Sequence, residues 1–155
     1  MVFRSHPGFI FHDSSGFESG AEKEKLAMQK FIEERSSETL EVDQLHVIWY
    51  CVSLDESTRT VTHVEEFFFQ KCVTPQVPVV LIFTKYDVFV EHIFGEIYRS
   101  AQNQNVDEVY KLAEKLAQEK VAYIFEKFQT RINYKIEYYT VLTGDAQISA
   151  KFKLI

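Results

Sequence analysis

The sequence is short of several features that usually announce a function. It has only two cysteines, Cys51 and Cys72, too few for a disulfide framework. Both lie inside apolar segments, so buried, reduced thiols in a cytoplasmic protein are expected. Basic residues are also scarce: 17 Lys and Arg stand against 23 Asp and Glu, giving a net charge of -6. That balance argues against a nucleic-acid binder, because phosphate recognition needs a cationic excess to release counterions. The longest apolar run, Val77–Phe83, is far too short to cross a bilayer, and no membrane insertion is expected. The N-terminal stretch MVFRSHPGFIFHDSSG has no basic region followed by a long apolar one, so it does not read as a signal peptide. No internal repeat or low-complexity segment appears.

What is present is the material of a core. Apolar residues make up 46% of the 155 and charged residues 26%, which excludes a disordered chain and fits a single domain. Aromatic residues reach 15%, with 14 Phe and 8 Tyr against one Trp, so broad hydrophobic faces are expected, some of them available to a partner.

Strand and helix patterns alternate along the chain. Gly8–His12 is a short apolar run that stops at the turn-rich Asp13-Ser14-Ser15-Gly16. Glu22–Arg35 has apolar residues at helical spacing. Leu45–Leu54 is nearly continuous in apolar character, as a strand covered on both faces would be. Thr60–Lys71 reads as a helix broken by Thr74-Pro75-Gln76. Val77–Thr84 is the strongest strand signal, with Pro78 tolerated at its start. A helix around Val90–Ser100 precedes a polar break and a long helix, Val106–Arg131, whose wide apolar stripe suits packing on a sheet better than a coiled coil. Ile136–Leu142 is a last strand, and Gly144–Ile155 is ambiguous. The order predicts an α/β fold with a parallel sheet and flanking helices.

Ligands of open parallel sheets bind at the carboxyl ends of the strands, so the residues after each strand matter most. After the first predicted strand comes Asp13-Ser14-Ser15-Gly16, and after the third Thr84-Lys85-Tyr86-Asp87. Asp13 taken alone is best explained as a turn or helix cap. The TKxD sequence is more informative. A carboxylate in that place can accept two N–H bonds from guanine, whereas adenine offers no such donor pair. The lysine stem can lie along a purine ring with its ammonium reaching outward.

Through FHDSSGFESG, LHVIWYCVS and VPVVLIFTKYD, the chain resembles the P-loop GTPase family of TRAFAC-type G domains, including G-domain proteins of fungi. The resemblance covers about residues 8–87 in wording and the remainder by architecture. It implies that Asp13 stands on the magnesium side, acting through a water, and that Gly16 meets the γ-phosphate through its backbone N–H. It also implies that Thr84, Lys85 and Asp87 read guanine, with Thr where Asn is commoner. For the loop after the last strand, position favours Thr143-Gly144-Asp145, while the letters Ser149-Ala150-Lys151 match the family's Ser-Ala-Lys. GTP or GDP with magnesium is the cofactor set so implied.

Much of the family's machinery is missing from the sequence. No two of the glycines Gly8, Gly16, Gly20, Gly95 and Gly144 are five apart, and no lysine is followed by Ser or Thr. The phosphate-binding GxxxxGK[ST] loop is therefore absent. Only twelve residues precede Asp13, which leaves no place for a switch threonine. Phe17 follows Gly16 where a water-orienting Gln stands in Ras-like members. The expected function is a pseudo-GTPase serving as an interaction or regulatory module; the alternative is a guanine-nucleotide binder that keeps base recognition.

The resemblance further implies a truncated domain that lacks the first and last helices, so that one face of a four-stranded sheet is under-covered. Several hundred Å² of bare apolar surface, at about 25 cal/mol per Å², favours burial by several kcal/mol. A second copy or another protein, or the tail or N-terminus of the chain, is expected to cover it. An unrelated enzyme would have to draw on His12-Asp13, His46, His63, His92 or Glu65-Glu66. These lack metal-ligand spacing, and no GxSxG elbow accompanies them. His46 reads as a structural residue and Glu65-Glu66 as a solvated helix face. In Phe67-Phe68-Phe69, two of three rings are expected in the core rather than at a partner hot spot.

Overall fold

A computed structural model describes residues 2–3, 6–12, 22–54, 61–100 and 105–144. Two short strands, β1 (Val2–Phe3) and β2 (His6–Ile10), precede helix α1 (Glu22–Ser36), strand β3 (Ile48–Ser53) and the short helix α2 (His63–Phe67). A π-helical turn at Phe68–Cys72 leads to β4 (Val79–Thr84), followed by α3 (Tyr86–Ser100), α4 (Val106–Ile132) and β5 (Tyr138–Val141). The architecture is α/β. β3, β4 and β5 form an all-parallel sheet in that order, with helices flanking it.

The first predicted strand is a correction. It occupies His6–Ile10 and pairs antiparallel with β1 outside the parallel sheet, so among the described residues that sheet has three strands rather than four. Pro7 has no N–H to give to a ladder and Gly8 has no side chain to pack, a composition that suits an edge hairpin better than a sheet interior. The second strand is also shorter than Leu45–Leu54. Its ladder starts where Ile48 N–H donates to the Pro78 carbonyl at 2.9 Å, and proline offers no donor with which to continue it.

Register and alternation sort the strand residues into two faces. Tyr50, Leu81 and Tyr139 lie on one line across the sheet; Cys51, Ile82 and Thr140 lie on the next, facing the other way. The helices pack on the first face. Tyr50 meets Phe68, Phe69 and Phe128, and Tyr139 stacks on Phe125 of α4 at 4.4 Å. Phe89, Val90 and Ile93 of α3 join the same core. The long helix thus covers the sheet, as its wide stripe predicts. Its start is capped by Asn105, whose side chain accepts from Asp107 N–H, and its end by Asn133 in the left-handed conformation.

The helix expected over Thr60–Lys71 divides. Thr62 opens α2 with a capping box, and Val73 N–H then bonds to the Phe68 carbonyl in the wider π turn. Phe68 and Phe69 are buried and Phe67 half-buried, the expected two of three rings. Glu65 corrects its reading as solvated: it is 2% exposed, and its Oε2 accepts from Thr62 N–H at 2.7 Å and Thr62 Oγ1 at 3.0 Å. Glu66 bridges Arg131 Nε at 2.6 Å and His63 Nδ1 at 3.2 Å, tying α2 to the last turn of α4.

On the opposite face, Trp49 is 56% exposed with Phe11 tilted against it at 5.4 Å, while Ile82 and Thr140 are buried. Cys51 also lies on this face and is exposed, contrary to the expectation of two buried thiols; Cys72 is buried. β3 flanks the sheet, so alternate residues of an apolar run there point away from the helices. No described helix is long and apolar enough to cross a membrane.

Candidate functional site

The carboxyl ends of the three parallel strands are joined to one another by backbone hydrogen bonds. Leu54, just past β3, donates its N–H to the Thr84 carbonyl at 3.1 Å. Leu142, just past β5, donates to the Phe83 carbonyl at 2.7 Å and accepts from Tyr86 N–H at 3.0 Å. The segments after β4 and β5 are therefore fixed against each other before any side chain is considered.

Between Thr84 and Tyr86 the chain must leave the ladder and enter α3. Lys85 makes that turn with φ 59°, a left-handed conformation that costs a side-chain-bearing residue about 1–2 kcal/mol. Such strain is concentrated at functional positions. Lys85 is exposed and its carbonyl accepts from Phe89 N–H at 3.1 Å, closing the first turn of the helix. α3 begins four residues before its predicted start because Tyr86, Phe89, Val90 and Ile93 pack at helical spacing, although aromatic and β-branched residues are modest helix formers.

This start places Asp87 in the first helical turn, where a carboxylate is favoured by the helix dipole. Its side chain points at the segment after β5. A Cβ built on Gly144 would come within 2.8 Å of Asp87 Oδ2 and 3.7 Å of its Cγ. Asp87 Oδ1 is buried and has no hydrogen-bond partner among the described residues. A buried acceptor without a donor costs about 1–3 kcal/mol, and more when charged.

Of the predicted site residues, the structure brings together Thr84, Lys85, Asp87 and the positional candidate Thr143-Gly144. Asp13 and Gly16 lie outside the described residues, as do Asp145 and Ser149-Ala150-Lys151. The residues of the enzyme alternative are not gathered. His46, His63 and His92 are exposed, and the His12 ring rests on Phe31 at 5.1 Å. Glu65 and Glu66 serve the cap and the ion cluster. Among the described residues no group of three or more His, Cys, Asp and Glu could hold a metal ion. A cavity of about 150 Å³ lies at the amino ends of β4 and β5, lined by Pro75, Pro78, Tyr134, Lys135, Glu137 and Tyr138.

The approach of Gly144 to Asp87 is the feature that sequence reasoning passed over. Its signal was present: one of only five glycines stands three residues after β5. The sequence has no P-loop to hold phosphates. The comparisons with known proteins supply no relative: no family model, no curated protein and no solved structure matches this chain.

Proposed function

We propose that the chain is a P-loop-less, G-domain-like module, a pseudo-GTPase that recognises a guanine base at Lys85 and Asp87 and serves interaction or regulation rather than GTP hydrolysis. The observation that carries this reading is the Asp87 carboxylate at the carboxyl edge of the sheet, whose buried Oδ1 has no hydrogen-bond partner among the described residues. Guanine offers a carboxylate two adjacent N–H donors, and adenine does not. The aliphatic stem of Lys85 lies along the face of the base and Thr84 lines its edge.

Base contacts without a phosphate cradle support an affinity on the order of millimolar, about 4 kcal/mol. Calorimetric titration with guanosine, GDP and GTP, with and without magnesium, tests the proposal. Guanosine and GTP are expected to bind equally and adenosine not at all. A protein indifferent to guanosine, or one that binds GTP in the micromolar range while ignoring guanosine, overturns it.

A second reading concerns the interaction half of the proposal and rests on exposed Trp49 and Cys51. The sheet face turned away from the helices pairs with a second copy of the chain. A dimeric mass by light scattering supports this pairing. A monodisperse monomer that binds little hydrophobic dye rejects it.

A further inference from the structure

We infer that Gly144 is a positioning residue for the Asp87 carboxylate: the lack of a side chain at 144 is what leaves room for Asp87 Oδ2, and so for the whole carboxylate, in its present direction. The inference rests on the base-recognition reading above and adds to it a residue outside the TKxD motif.

The geometry leaves little choice at this position. Leu142 is bonded on both sides, to the Phe83 carbonyl and to Tyr86 N–H, which brings Gly144, two residues later, beside the first turn of α3. Asp87 is fixed, since it belongs to the first turn of α3 and its neighbours Tyr86 and Phe89 are packed in the core. With both backbones held, a methyl group at 144 would stand 2.8 Å from Oδ2, well inside van der Waals contact. The atom met is the free end of the Asp87 side chain, so rotation of that side chain relieves the contact and turns the carboxylate out of its present direction. The glycine is needed for close approach of a neighbouring group, a use distinct from its freedom at positive φ.

The effect should be one of specificity as well as affinity. A site that bonds two N–H donors discriminates against an analogue lacking one of them. Guanosine and inosine differ by the exocyclic amino group, so their affinity ratio reports the carboxylate's direction. A structural defect that merely lowered the folded fraction would weaken both nucleosides alike.

The test is calorimetry of the full chain with guanosine and inosine, run on the wild type, Gly144→Ala, Asp87→Ala and the double variant, alongside thermal unfolding of all four. Gly144→Ala is expected to reduce guanosine affinity at least tenfold and bring the guanosine-to-inosine ratio close to one. The accompanying loss of Tm should be small, because the displaced atom is the free end of a side chain, and it should disappear in the Asp87→Ala background, where the contact has no partner. Retention of wild-type affinity and ratio in Gly144→Ala overturns the inference, as does an equal Tm loss with and without the Asp87 carboxylate. A wild type that binds neither nucleoside ends the base-recognition reading and the positioning role with it. The unfolding cycle still reports separately whether Gly144 and Asp87 are in contact.

Discussion

Side chains one residue apart on the parallel strands meet opposite surroundings. Tyr50, Leu81 and Tyr139 share a line of register and are packed against rings from the π turn and α4. Cys51, Ile82 and Thr140 form the adjacent line and point away from those helices. Trp49, the one tryptophan, is more than half exposed on that second face, whereas Leu81 and Phe83 are fully buried on the first. Apolar character is thus spread over both faces and the described helices cover one; on the other, Ile82 and Thr140 are buried while Trp49 and Cys51 of β3 are exposed. Strands read as buried on both sides can carry a second surface that no described helix occupies.

The largest test of the difference is truncation. Leu81→Ala and Phe83→Ala should each lower stability by about 3–5 kcal/mol, since both open a cavity in a closed core. Trp49→Thr should cost less than about 1 kcal/mol in the isolated chain, because little surrounds the ring to be left vacant. Urea unfolding measures both. A Trp49→Thr loss comparable to that of Leu81→Ala would show that the second face is as closely packed as the first.

Cysteine chemistry separates the faces next. Burial pushes the Cys72 thiol up to about 11, with Glu33 adding to it, and burial also raises Cys51. A thiol reagent at pH 8 should modify one cysteine of the native protein, Cys51, and both in denaturant. If a second copy covers the face, Cys51 should become slower as protein concentration rises. Rapid modification of Cys72 in the native state would contradict its placement.

Alkaline unfolding reports the core from the other side. The folded thiol of Cys72 loses its proton near 11 rather than at its ordinary 9.0. Its contribution is therefore complete below pH 9 and lost as pH rises through 11. Tyr86, Tyr134 and Tyr139 are raised chiefly by burial and act in the same direction above pH 10. Stability should fall steadily over this range, and Cys72→Ala should flatten the earlier part of the slope.

The smallest effect lies at the exposed Glu66 cluster. The hydrogen bond from His63 and the charge of Arg131 hold its carboxyl below the usual 4.5. Its contribution is present above that value and disappears as pH falls through the lowered one. Arg131→Ala should shift acid unfolding slightly upward in pH and leave the neutral-pH midpoint within error.

The order of elements was readable from the sequence because periodicity is a local property. Val77–Thr84 announces a buried strand, and the stripe of Val109, Ala113, Ala117, Val121 and Phe128 announces a helix lying on it. The TKxD residues stand out in the sequence for a related reason, since ligands of open parallel sheets bind at the carboxyl ends of the strands. Errors arose where partners decide. Pro7 and Gly8 diverted the first strand into a hairpin. Cys51 followed the alternation of its strand onto the open face, and Glu65 was drawn inward by its own cap.

Sequence alone determined the α/β class, the absence of a P-loop, and the placement of Thr84, Lys85 and Asp87 after the central strand, because each depends on residue types at fixed spacing. The tertiary structure decided which face of each strand is covered, that α3 starts early enough to hold Asp87, and that Gly144 comes to rest against its carboxylate. Those outcomes depend on contacts between residues far apart in the chain, among them the nearly sixty residues from Asp87 to Gly144. The pairing of β4 with β5, extended by the bond from Tyr86 N–H to the Leu142 carbonyl, brings these two together.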